Sequence, residues 1–208
     1  MNGSSVVPAT ALNSIEGRDI TCFYEMGDDV IWAVNGMSIG DKVPDDIDFK
    51  VKTDTKNIPS KLVNEVADVY PHKNLSIAYD GEFGFTAIMC LNVGEENAGM
   101  YANRYYYNEE EGSLEFIDSE DVDGNGNTEF EFTHASDYTI VMRGDALTEK
   151  SAAALVNTSD DGSDLVVSEA ADPPKKGNNH WWLLLITILS LILCGAILFM
   201  PEKKEQQG

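Results

Sequence analysis

Twenty consecutive residues near the C-terminus, Trp181 to Met200, contain no charged side chain. At about 1.5 Å rise per residue, a helix of that length covers roughly 30 Å, the hydrocarbon thickness of a bilayer. Its polar members are Thr187, Ser190 and Cys194, whose side chains bond back to the helix's own carbonyls at small cost. A buried core helix normally shows a polar stripe and runs about three turns. The run therefore predicts a single transmembrane helix over 181–200, ended by Pro201. Trp181 and Trp182 fit the interfacial aromatic belt, and Lys203 and Lys204 supply a short basic tail in residues 201–208. The lipid bilayer is the partner this segment names.

Residues 1–170 hold 33 of the 36 acids against 10 of the 14 Lys and Arg, a net of −23 where the whole chain carries −22. So negative a surface repels nucleic acid and anionic lipid, and favours solubility or cation binding. About 170 residues suffice for one ordinary domain with a substantial core. The first sixteen residues show neither a basic n-region nor an apolar h-region, and they read as a leader or a fragment end. Two topologies follow: a piece of a longer exported protein, or a tail-anchored protein with a cytoplasmic domain.

Alternation dominates before residue 145. In Asp46-Ile47-Asp48-Phe49-Lys50-Val51-Lys52 the apolar side chains fall at every second position, and Glu129-Phe130-Glu131-Phe132 repeats the pattern. Further β-rich runs are 20–26, 30–34, 75–79, 83–93, 100–107, 114–117 and 138–142, separated by turn residues such as Asn35-Gly36, Asp80-Gly81 and Asp123-Gly124. The prediction is a mainly β domain over 17–144, an antiparallel sandwich of immunoglobulin-like or jelly-roll-like type. One short helix is expected at 59–67, with Ser60 at its N-cap. Residues 145–180, rich in Ala, Ser, Asp, Gly and Asn, read as a flexible acidic tether.

Four sets of side chains suggest sites. Asp121, Asp123 and Asn125, with Gly126 after them, match the first half of a calcium loop, but the bidentate acid due at position 12 is Phe132. A hairpin turn between 114–117 and 128–132 explains the same residues, and calcium is the only cofactor raised. His134-Ala135-Ser136-Asp137 has the letters of a hydrolytic triad on one short stretch, where they cannot converge. A corner between strands accounts for them, and no catalytic residue is expected. Trp32, Tyr105 and Tyr107 are the aromatic candidates for a glycan or protein ligand; alternation puts Tyr105 and Tyr107 on one face and Tyr106 on the other. His72 and His180 lack the companions that a zinc site needs.

Cys22, Trp32 and Cys90 follow the Cys, Trp, Cys order of immunoglobulin domains, which they loosely resemble; a disulfide and a pair of free thiols both fit. A broader likeness lies in Trp32-Ala-Val-Asn-Gly36, Leu75-Ser-Ile-Ala-Tyr-Asp-Gly-Glu-Phe-Gly-Phe85, Ala102-Asn-Arg-Tyr-Tyr-Tyr-Asn108 and Phe132-Thr-His-Ala-Ser-Asp-Tyr-Thr-Ile-Val141. Together these resemble a module of large surface proteins from Gram-positive gut anaerobes such as clostridia. The resemblance implies a non-catalytic β domain near the envelope end of an exported chain and names no ligand; the expected role is a spacer or presentation module, the alternative a surface binding module. Pro173-Pro174-Lys175-Lys176-Gly177 stands where a sorting signal carries Leu-Pro-x-Thr-Gly. Lys176 replaces the Thr that a sortase attacks, so the span is expected to stay as a permanent anchor with the C-terminus inside.

Overall fold

A computed structural model of the protein describes residues 4–27 and 29–158. Its elements are β1 (Val6–Val7), α1 (Ala9–Asn13), β2 (Thr21–Glu25), β3 (Val30–Asn35), β4 (Ile47–Asp48), β5 (Val51–Thr53), α2 (Ser60–Ala67), β6 (His72–Asn92), β7 (Tyr101–Asn108), β8 (Ser113–Asp121), β9 (Asn127–Arg143) and α3 (Glu149–Thr158). The expected span 181–200, its residues Trp181, Trp182, Lys203 and Lys204, and the tether beyond residue 158 lie outside the described residues. Among the described residues no helix is long and apolar enough to cross a membrane.

The domain is mainly β and every strand pair is antiparallel. Seven strands form one sheet in the order β2-β3-β6-β9-β7-β8, with β5 paired to β6, while β1 and β4 make a small second sheet. Two long strands organise it. The last part of β6 (87–92) lies between β3 and the start of β9, and its first part (72–76) lies between β5 and the end of β9. Register shifts fall between Ser76 and Gly81 and between Glu82 and Ala87, where bulges bend the strand and increase its twist. Trp32 and Val34 from one end of the sheet and Leu75, Tyr138 and Ile140 from the other consequently share one core.

This bend corrects the sequence reading in two places. Asp80-Gly81 is not a reversal between strands, because Gly81 at φ +104° and Gly84 at φ +77° let β6 run on through the corner. His134 to Asp137 is likewise a corner inside the continuous strand β9.

Trp32 occupies the middle of the core, fully buried, its Nε1 donating to the Phe49 carbonyl at 2.9 Å. Its ring meets Phe49, Phe83 and Phe132 at centroid distances of 5.0, 6.0 and 5.4 Å. Ile47 and Phe49 are buried as the alternation predicts, with Val51 packed against the same core. A second core lies behind the sheet, where Val63 and Val66 of α2 and Ala152 of α3 pack with Tyr105 and Val141. The helix expected at 59–67 is α2, but Ser60 makes no cap: the N-cap residue is Pro59, whose ring carries no hydrogen-bond acceptor.

The domain is larger than 17–144. Val7, Leu12 and Ile15 are buried, Val7 pairs with Ile47, and Asp46 accepts from the Ala9 N–H that opens α1. Residues 7, 9, 12 and 15 of the stretch expected to be a leader or a fragment end therefore belong to the core. At the other end Leu147 and Ala152 are buried in the second core. Thr148 and Ser151 exchange backbone and side-chain bonds at the start of α3, a reciprocal cap. The Ala-rich composition that suggested a tether supplies, over 149–158, a helix.

Candidate functional site

Among the described residues Arg104 is the buried cation, 4% exposed; it pairs with Ile140 inside the β7–β9 ladder, at the bulge where β7 meets β8. β7 pairs with β9 only from Tyr106↔Tyr138 to Tyr101↔Arg143, so the earlier part of β9 loses that neighbour. The guanidinium closes the gap. Nε donates to Asp118 Oδ1 at 2.8 Å, Nη2 donates to Asp118 Oδ2, and Nη1 donates to the Glu131 carbonyl at 2.8 Å. Its planar face lies over the Phe132 ring at 4.4 Å and the Phe130 ring at 5.0 Å. This is a bidentate ion pair, with three of the five guanidinium N–H groups bonded to the two neighbouring strands. It ties β8 to β9.

His134 lies beside this cluster. The Tyr138 hydroxyl is 3.1 Å from His134 Nε2 and donates to the His134 carbonyl at 3.2 Å. Burial holds the Tyr138 phenol well above its usual range, with the neighbouring Arg104 pulling the other way. Asp137 accepts from the Asn57 side chain at 3.0 Å instead of reaching His134. The triad letters thus serve a strand corner.

Asp123 Oδ1 accepts from the N–H groups of Asn125 and Asn127, both at 2.8 Å. Partial desolvation alone raises its carboxyl, but the hydrogen bonds from Asn127 and Asn125 outweigh that and hold it below the usual range. The turn closes through Asp123 N–H to the Asn127 carbonyl, yet the strands it joins diverge, β8 to β7 and β9 to β6 and β7. The hairpin between 114–117 and 128–132 is therefore replaced by a turn beside the start of β7, where Val122 and Met100 are bonded. Gly126, at φ +80°, lies against the Gly94 carbonyl too closely for any Cβ. Among the described residues no three His, Cys, Asp or Glu side chains cluster to hold a metal.

Burial counts against the aromatic candidates as ligand contacts. Trp32 and Tyr105 are 0% and 1% exposed and Tyr107 is half-buried against the second core. Alternation places them as read, Tyr105 and Tyr107 on the α2 side and Tyr106 on the other. Burial pushes the Tyr105 phenol up to about 12, with Arg143 opposing. Cys22 and Cys90 are free thiols. Cys22 packs on the main core, whereas Cys90 lies between inward-facing Met89 and Leu91 and so points outward.

What the sequence reading missed is on that outward face. Phe23 is 65% exposed, Ile31 38% and Ile88 37%. Cross-strand pairing runs Phe23, Ala33, Ile88, Glu131 in one row and Glu25, Ile31, Cys90, Glu129 in the next. The signal is the unbroken apolar run Val30-Ile31-Trp32-Ala33-Val34, which gives a strand two apolar faces where alternation allows one. No protein-family model, curated protein or solved structure matches the chain.

Proposed function

We propose that the chain is a non-catalytic, membrane-anchored cell-surface module, a sandwich of immunoglobulin-like or jelly-roll-like type that spaces or presents what it is attached to. The observation that carries this reading is how the reactive side chains are spent. Arg104 and Asp123 direct their polar atoms at neighbouring strands and turns, and His134 Nε2 meets the Tyr138 hydroxyl of its own strand, with neither Ser136 nor Asp137 bonded to it, an arrangement that favours a structural role for all three. The apolar run 181–200 is the anchor of this reading, and the resemblance to clostridial surface proteins supports an orientation with the domain outside and residues 201–208 inside.

Trypsin treatment of intact cells tests the orientation, since Lys175 and Lys176 lie between domain and span. Loss of the domain with a protected C-terminal tail is the expected result; complete protection would overturn the surface assignment in favour of a tail-anchored cytoplasmic domain. A second reading, a surface binding module, is favoured by the exposed face of Phe23, Ile31 and Ile88, with a protein as its ligand.

A further inference from the structure

The edge beside that face is open. Among the described residues β2 ends the sheet and pairs with β3 alone. Gly36 N–H donates to the Ile20 carbonyl and Met26 N–H donates to the Val30 carbonyl, so residues 20 and 26 are bonded positions of this antiparallel ladder. Bonded and non-bonded positions alternate, which makes 22 and 24 bonded as well. Thr21, Phe23 and Glu25 therefore aim their N–H and carbonyl groups away from β3, into the free edge. Their side chains are the exposed ones of the strand, while Tyr24 is buried.

Natural edges are normally guarded by charge, Pro, brevity or a bulge. The opposite edge, β8, carries Glu115, Asp118, Glu120 and Asp121 and a bulged partner, and β5 is three residues long with Lys52 at its middle. β2 has neither Pro nor Lys and a single acid, Glu25. Its centre is the exposed Phe23.

We propose that β2 takes up an extended segment of a partner protein as an added strand, one that alternates apolar with basic residues. The added backbone would satisfy the free groups of 21, 23 and 25, as in other strand-addition complexes. Its outward side chains would be the basic ones, meeting Glu25 as an ion pair and lying over the Phe23 ring as a cation on an aromatic face, and its apolar inward ones would extend the surface of Cys22 and Tyr24. Charge selects the partner: with Glu129 and Glu131 on the same face and a net of −22 on the chain, a second copy is repelled and a basic strand is drawn in. The proposal holds on whichever side of a membrane the domain lies, so it and the surface assignment fail separately.

The test is selection of short random linear peptides, displayed on phage, against the full chain in detergent micelles. Enriched peptides are expected to alternate Lys or Arg with β-branched or aromatic residues. A synthetic version should lose at least about tenfold in affinity when alternate amides are N-methylated, and again with Phe23→Thr, whose circular dichroism should match the parent. Glu25→Lys should turn the preference toward acidic peptides. Failure to enrich any linear peptide would overturn the proposal, as would acidic winners on the parent chain or indifference to N-methylation or to Phe23→Thr. Self-association of the chain lost with Phe23→Thr would also overturn it, the occupant then being a second copy.

Discussion

Arg104 shows how a charge in an interior is tolerated and what its removal costs. Its two bonds to Asp118, a third to the Glu131 carbonyl and the rings of Phe130 and Phe132 replace the water it gave up. Arg104→Ala strands Asp118 and uncovers those rings, and about 3 kcal/mol of stability is expected to go, read as a lower urea midpoint. Arg104→Lys should recover little, because one ammonium cannot reproduce the fork. Tyr105 is the opposite case: its hydroxyl is buried with no hydrogen-bond partner among the described residues. Tyr105→Phe is expected to raise stability by up to about 1 kcal/mol. Tyr24 and Tyr105 have phenols pushed up to about 12, each chiefly by burial, against about 10 in an unfolded chain. Because the folded values are the higher ones, stability is intact below pH 10 and falls as pH climbs from 10 toward 12. A late rise in phenolate absorbance should coincide with loss of the folded circular dichroism signal, and Tyr105→Phe should delay both.

The elements show which patterns were legible and why others were not. Glu129-Phe130-Glu131-Phe132 alternates because this end of β9 has the core on one side and solvent on the other, while Tyr138 to Met142 is buried at every position because α2 and α3 cover the second face. Both runs were read as strands; that they are one strand was not legible, since a bulge and a turn use the same small and polar residues. The individual packing of Trp32 and Tyr105 was equally hidden, because an aromatic ring in a strand fits a core and a binding face alike. At the ends, composition misled: Ala-rich 149–158 has too few large side chains to build a core of its own but enough to dock on one. Leu147 carries that docking, 6% exposed, its N–H donating to the Asn103 side chain at 2.9 Å. Leu147→Ala should cost about 2–3 kcal/mol, measured by thermal or chemical unfolding, and ending the chain at residue 144 should cost more. An unchanged midpoint after truncation would return 145–158 to the tether.

Over the whole molecule, charge opposes the fold that the two cores hold together. Thirty-six acids face fourteen Lys and Arg, and where they crowd the effect is visible: burial, then the nearness of Asp118 and Asp121, raises the Glu120 carboxyl. Self-repulsion of this kind weakens a compact state and is screened by salt over about 10 Å at 0.1 M. Added sodium chloride is therefore expected to raise the melting temperature from its low-salt value, with most of the gain complete by physiological ionic strength. The same titration decides the calcium question. Asp123 already spends its oxygens on Asn125 and Asn127, and with Phe132 at the twelfth position the loop lacks its closing acid. At matched ionic strength calcium and magnesium chlorides should stabilise alike. A rise specific to calcium, lost in Asp123→Asn, would instead assign Asp121, Asp123 and Asn125 to a metal site; screening alone leaves that variant's response to the two salts indistinguishable.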